Sequence, residues 1–140
     1  MSTFQIQHFS HDVWLEETTL HCRGEVYPLT EIEGTRINFR VNTAIASFLL
    51  LLVSFAGLGY GYFVFGDKGY IMLLPLVGSF ALLRYTLFHY VELFLVINGK
   101  SRIVIIEAMR RRELVYHIED AINTRLKELK EQKSAIPAER

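Results

Sequence analysis

Two kinds of hydrophobic pattern run along this chain, and the change between them divides it. Residues 43–65 read TAIASFLLLLVSFAGLGYGYFVF and residues 70–83 read YIMLLPLVGSFALL, with only Gly66-Asp67-Lys68-Gly69 between them. At 1.5 Å per residue the first run spans roughly 34 Å as a helix, enough for a bilayer core. The second run needs residues 84–90 to complete its span, which brings Arg84 and His89 near one membrane face. The pattern predicts a helical hairpin over 41–90 that crosses a membrane twice.

On either side of the hairpin the period changes to two. Phe4-Gln5-Ile6-Gln7, Val13-Trp14-Leu15, Thr19-Leu20-His21-Cys22, Val26-Tyr27-Pro28-Leu29 and Arg36-Ile37-Asn38-Phe39-Arg40 read as short strands. Turn signals such as Arg23-Gly24-Glu25 separate them, which describes a meander. Pro28 is expected on an edge or at a bend, because it lacks the ladder donor. After the hairpin, residues 91–97 and 101–106 flank Asn98-Gly99. Both turn residues tolerate positive φ, the strongest short signal for a strand hairpin. Both of its strands are apolar on each face, which predicts a central place in the sheet. A helix is predicted over about 113–133, with Leu114, Ile118, Ala121, Ile122, Leu126 and Leu129 on one stripe. Its end, 127–133, is charged nearly all round, and 134–140 should fray.

The expected fold class is α+β. A small antiparallel β domain with a C-terminal helix is built from residues 1–40 and 91–133. The hairpin at 41–90 is inserted in it, because both halves are needed to close one core.

Composition sharpens this further. The 140 residues carry a formal net charge of zero, so bulk charge argues for no partner. Charge is unevenly placed: residues 1–40 hold six acids and three bases, and residues 99–113 hold five bases and two acids. The lone Cys22 rules out an intramolecular disulfide and suits a reducing compartment. The first forty residues lack an apolar stretch, so no signal peptide is expected. Arg36, Arg40, Arg84 and Arg102 on the flanks, against Lys68 in the turn, favour cytoplasmic termini.

The order of strands, membrane hairpin, strand hairpin and helix resembles a family of small bacterial proteins of unknown function that join two transmembrane helices to a PH-like β domain. Tyr27, Pro28, Leu29 and Glu31 fit its segment ahead of the helices, and the run from Val115-Tyr116-His117-Ile118 to Leu126 is similar to its last helix. The resemblance covers most of residues 12–130 and implies a PH-like domain in a bacterial inner membrane. The layout also resembles the two-helix-plus-β membrane effectors of anti-phage systems. That likeness implies a pore controlled by a cyclic nucleotide or a short single-stranded oligonucleotide, with a partner nucleotidyltransferase as its source.

The basic segment carries the main candidate chemistry. Lys100 and Arg102 flank the strand turn, and Arg110, Arg111 and Arg112 open the last helix. Arginine forks suit phosphate oxygens, and a helix N-terminus adds free amides. Trp14, Tyr27 or Tyr116 could stack a base. Contact with anionic lipid headgroups and simple solvation are the competing readings. Within the hairpin, Gly57 and Gly61 with Ser54 one turn back form a small face for helix packing, inside the hairpin or between copies. Pro75 with Gly78 marks a kink, and Arg84 reads as snorkelling to the interface. His8-x-x-His11 and His89-x-x-Glu92 lack a third metal ligand, so no metal or other cofactor is expected. Phosphate-loop, nucleophile-elbow and cysteine-pair motifs are all missing, so no catalytic residue is assigned.

The function expected from these patterns is an inner-membrane effector that assembles as a homo-oligomeric channel under nucleotide control. The alternative is a non-enzymatic membrane-anchored module that binds a protein or an anionic lipid.

Overall fold

The computed structural model describes residues 4–136. It is a mixed α+β structure with antiparallel sheets and divides into two compact units. One takes the chain up to Asn38, then Val91–Ile106, then from Arg110 onward; the other takes Phe39–Tyr90 with Glu107–Met109.

In the first unit, strands β1 (Gln7–Ser10), β2 (Val13–Leu15), β3 (Thr19–Cys22) and β4 (Glu25–Pro28) form a meander in sheet order β1-β2-β3-β4. All three pairings are antiparallel. The β3–β4 loop is Arg23-Gly24, with φ of 52° and 82°. Two positive φ values make the tight turn whose twist matches its strands. Arg23 is an unusual choice there, and its guanidinium donates to Ile106 O at 3.2 Å. Pro28 ends β4, an outer strand, as its missing donor requires.

A second sheet has the order β5-β6-β7, from β5 (Ile32–Phe39), β6 (Val91–Ile97) and β7 (Lys100–Glu107). Asn98 and Gly99 join β6 to β7 with φ of 52° and 73°, the expected turn. The unit therefore holds two sheets, where the sequence pattern suggested one. Only β6 is central. β7 is an outer strand because its first half, Lys100-Ser101-Arg102-Ile103, is exposed. Val91, Leu93 and Leu95 alternate along β6 and are fully buried.

Helix α3 (Arg112–Ala135) closes this core. Val115, Ile118, Ile122 and Leu126 are its buried apolar residues, each worth roughly 1.5–3 kcal/mol on full burial. The buried stripe begins at Val115, not Leu114, which is only half-buried. The helix continues through Ala135, past the expected fraying point at 134; residues 137–140 lie outside the described part.

The second unit is a helical hairpin. Helix α1 (Val41–Phe65) leads through a 3-10 stretch (Gly66–Met72) into α2 (Leu73–Phe88). The 3-10 stretch absorbs Tyr70, Ile71 and Met72, so α2 begins later than the apolar run does. Pro75 falls in the first turn of α2, where its missing N–H is no loss. It opens the helix instead of kinking it, which corrects the sequence expectation. By length and composition the run Val41–Phe88 is apolar enough to cross a membrane, and only 11% of its most apolar window is buried.

Burial in this hairpin is inverted. Ser47, Ser54, Ser79 and Thr86 are its buried polar side chains, with Gly61 and Gly69 beside them. The large apolar groups point out: Phe48, Leu49, Val53, Phe55, Leu74 and Phe80 are all at least half exposed. Ser47 Oγ lies 3.1 Å from Thr86 Oγ1, and Ser54 Oγ lies 2.8 Å from Ser79 Oγ. These contacts step by seven residues along each helix in opposite directions. The next step brings Gly61 against Met72, whose Cγ would sit 2.8 Å from a Cβ placed on that glycine. Gly69 is pinned harder: its Cβ would lie 2.7 Å from the Tyr62 backbone.

Candidate functional site

The five basic residues do not form one cluster. Lys100 and Arg102 sit at the start of β7, while Arg110 and Arg111 form a 3-10 turn after its end and Arg112 opens α3. The eight residues of β7 hold these groups apart by roughly 23 Å of strand.

At the near end, Arg102 Nη2 lies 2.9 Å from both carboxylate oxygens of Glu25. Tyr27 donates its hydroxyl to the same carboxylate. The guanidinium also covers the Tyr27 ring, 5.5 Å from its centroid. Burial, then the Glu25 hydrogen bond, pushes the Tyr27 hydroxyl up to about 12. The structure does bring Arg102 and Tyr27 together, but with Glu25 answering the charge and the ring buried below. Lys100 is exposed beside the turn, where Glu33 accepts from the Gly99 N–H at 3.2 Å.

Trp14 lies on the outer face of the first sheet. The register pairs His8 with Trp14 and Trp14 with His21, so three rings form a row across three strands. Trp14 stacks on His21 at 4.7 Å with 9° between planes, and its indole N–H donates to Glu16 at 3.2 Å. That hydrogen bond is the main cause holding the Glu16 carboxyl below its usual range, with His21 assisting. One face of Trp14 is therefore already taken. Tyr116 is exposed on α3, one turn past the arginines. Trp14, Tyr27 and Tyr116 lie on separate elements, β2, β4 and α3.

In the hairpin, Ser54 and Gly61 belong to the internal seam. Gly57 and Gly78 do not; a Cβ at either would meet nothing within 4 Å. Arg84 is exposed, with its guanidinium 5.5 Å from the Phe88 ring centroid.

Two features escaped sequence reasoning. The first is the rest of the seam, legible afterwards as small residues spaced by seven: Ser47 in line with Ser54 and Gly61 on one side, Ser79 and Thr86 on the other. The second is Arg125, buried in the α3 stripe. Its Nε donates to Glu17 O at 2.9 Å and its Nη1 to Glu128 at 2.7 Å, and it lies over Phe4 at 4.5 Å. It borders a cavity of about 220 Å³ with His117, Asp120 and Thr124. An arginine between Ile122 and Leu126 was the available signal. Cys22 is buried and donates to Val104 O at 3.3 Å; burial pushes its thiol up to about 11, which makes it a poor nucleophile. Among the described residues no group of three or more histidine, cysteine or acidic side chains could hold a metal ion.

Compared with known proteins, the chain matches no family model, no curated protein and no solved structure.

Proposed function

We propose that this chain is a two-pass, non-enzymatic module anchored in a membrane, with α1 and α2 crossing the bilayer and the β domain displayed on the cytoplasmic side. The PH-like reading of that domain and a bacterial inner-membrane location belong to the same proposal. The observation that carries it is the inverted hairpin. A soluble pair of helices buries its large apolar groups; this pair buries serine, threonine and glycine and turns leucine and phenylalanine outward. That is the arrangement for helices in lipid, where small residues allow close approach and hydroxyls join across the interface. Tyr60, Tyr62 and Tyr70 near the turn and Tyr85 near the other end stand where interfacial aromatics are favoured. Among the described residues of the β domain no catalytic set is assembled, which suits a domain that works by binding.

A ligand-controlled homo-oligomeric pore is the second reading. It is favoured by Gly57 and Gly78, whose open faces let a helix from another copy approach. It ranks below the anchor because the hydroxyls at the hairpin's centre are consumed by its own seam. Between 44 and 59, and between 73 and 83, every other side chain is apolar. A wet pore assembled from these outward faces would lack a polar lining.

Reconstitution of the full chain in liposomes separates the two. The anchor reading expects resistance to alkaline extraction and no ion flux, with or without added cyclic dinucleotide or short oligonucleotide. Flux that depends on a nucleotide would replace it with the pore. Extraction at alkaline pH would remove both.

A further inference from the structure

The turn end of the hairpin holds a cleft of about 560 Å³, within the usual size of a ligand site. One wall is a single face of α1, made by Phe55, Leu58, Gly59 and Tyr62 at helical spacing. The other wall comes from the 3-10 stretch and the start of α2, with Asp67, Tyr70 and Leu73. A close backbone approach sets the two walls. Gly69 lies so near α1 that a Cβ on it would fall 2.7 Å from Tyr62 Cα. Gly59 adds no side chain to the cleft, and a Cβ there would meet nothing within 4 Å. The cleft is therefore built into the hairpin, and all of its residues belong to that one unit.

Its chemistry is graded along its length. Leu58 lies four residues and Phe55 seven residues before Tyr62, which places them roughly 6 and 10 Å farther from the turn along α1. With Leu73 they make the deep part apolar. At the turn end stand the exposed carboxylate of Asp67 and the rings of Tyr62 and Tyr70, each 66% exposed. A carboxylate beside aromatic rings suits an ammonium group. The ring faces attract the cation, and the carboxylate and phenol oxygens accept its N–H bonds. Lys68, next in the chain, is exposed and carries the opposite charge.

We propose that this cleft seats one phosphatidylethanolamine molecule, a phospholipid whose headgroup joins a primary ammonium to a phosphate. The proposal rests on the anchor reading above. The ammonium sits between Asp67 and the two tyrosines, Lys68 answers the phosphate, and an acyl chain lies along Phe55 and Leu58. The order of groups in the lipid, from cation to hydrocarbon, matches the order of side chains from turn to helix. An anionic headgroup such as phosphatidylglycerol brings like charge to Asp67. A choline headgroup carries a cation but has no N–H to give the carboxylate.

The test places the full chain in nanodiscs of phosphatidylcholine, phosphatidylglycerol and phosphatidylethanolamine in equal parts. Native mass spectrometry then identifies the lipid that stays with the chain after release. Phosphatidylethanolamine should be retained over phosphatidylglycerol by roughly two- to fivefold, with phosphatidylcholine between them. Asp67→Asn should bring the ratio close to one. Gly59→Leu, which fills the cleft, should do the same. Lys68→Gln should leave the ratio unchanged, because all three lipids share the phosphate. The ratio for the unaltered chain stands without any variant, so a variant that misfolds does not decide the matter. Equal retention of the three lipids overturns this site and leaves the anchor standing. A preference that survives both Asp67→Asn and Gly59→Leu overturns it as well. If Gly59→Leu abolishes self-association and leaves the lipid ratio alone, the cleft belongs to a second copy and the proposal falls. A chain that fails to enter the discs overturns the anchor and this site together.

Discussion

Ser54 Oγ lies 2.8 Å from Ser79 Oγ across the hairpin, and each hydroxyl also reaches a carbonyl one turn back on its own helix. Ser54 contacts Leu50 O at 2.8 Å, and Ser79 contacts Pro75 O at 2.7 Å. Each hydroxyl has one proton, so two protons serve three contacts. Ser47 and Thr86 repeat the arrangement seven residues away, with Thr43 O and Leu82 O as the carbonyls. The pairing fixes the register of α1 on α2, because a one-residue slip would set Ser54 against Gly78 or Phe80 and break both hydroxyl contacts.

Substitutions in the seam should therefore weaken the hairpin, while substitutions beside it should not. Ser54→Ala is expected to cost about 0.6 kcal/mol, the usual worth of such a bond in lipid. Gly69→Ala should cost more, about 1–3 kcal/mol, because its Cβ would fall 2.7 Å from the Tyr62 backbone. Gly57→Leu meets open space and should change hairpin stability by no more than about 0.5 kcal/mol. Steric-trapping measurements in bicelles give these values. If Gly57→Leu nonetheless abolishes self-association, that glycine contacts another copy.

The β domain should lose stability at alkaline pH. The folded Cys22 thiol titrates near 11, above its ordinary 9, and the Tyr27 hydroxyl near 12, above its ordinary 10. Both groups are neutral when protonated, and burial disfavours their charged forms. Their contribution is complete below the unfolded values and is lost as pH rises through the folded ones. Denaturant midpoints should hold to about pH 9 and fall from there to pH 12. Cys22→Ser should remove the lower part of that fall. A midpoint that is flat across this range would show that neither group is buried as described.

Much of this layout was legible in the sequence because its signals are local. Asn98-Gly99 and Arg23-Gly24 set their turns through two dihedrals each, and the helical hairpin announces itself by its apolar composition. What stayed hidden depends on partners distant in the chain. Arg102 reads as a free phosphate ligand until Glu25, across the fold, is found beside it. Trp14 reads as a stacking platform until β3 brings His21 against it. The split into two sheets was hidden for the same reason, since alternation marks a strand but not its neighbour. Pro75 suggested a kink because the helix start could not be placed within a continuous apolar run.

Arg125 should be the most sensitive charged residue of the β domain. Its side chain is only 7% exposed and bridges Glu17 O and Glu128. Removing it takes the donor from Glu17 O, breaks the contact with Glu128 and loses the packing against Phe4, together worth roughly 2–3 kcal/mol. Arg125→Ala is therefore expected to lower stability by about 2–3 kcal/mol. Glu128→Ala should cost under about 1 kcal/mol, because that carboxylate is half exposed. Thermal unfolding of the two variants checks the order, and equal losses would mean that Glu128 carries the structure.

Topology gives the last prediction, and Cys22 makes it clean. The thiol is buried and titrates near 11, so at neutral pH it should stay unlabelled in the folded chain. The chain can then carry reporter cysteines without losing its own. Asp67 lies in the exposed turn between α1 and α2, and Ser134 lies near the exposed end of α3. In intact bacterial cells, Asp67→Cys should react with an impermeant thiol reagent and Ser134→Cys should not. After membrane disruption both should react. The positive flanks at Arg36, Arg40 and Arg84, against Lys68 alone in the turn, are the reason for this orientation. The reverse labelling would place the β domain outside the cytoplasm. Labelling of both positions in intact cells would mean that the hairpin does not cross the bilayer, and both membrane readings would fall with it.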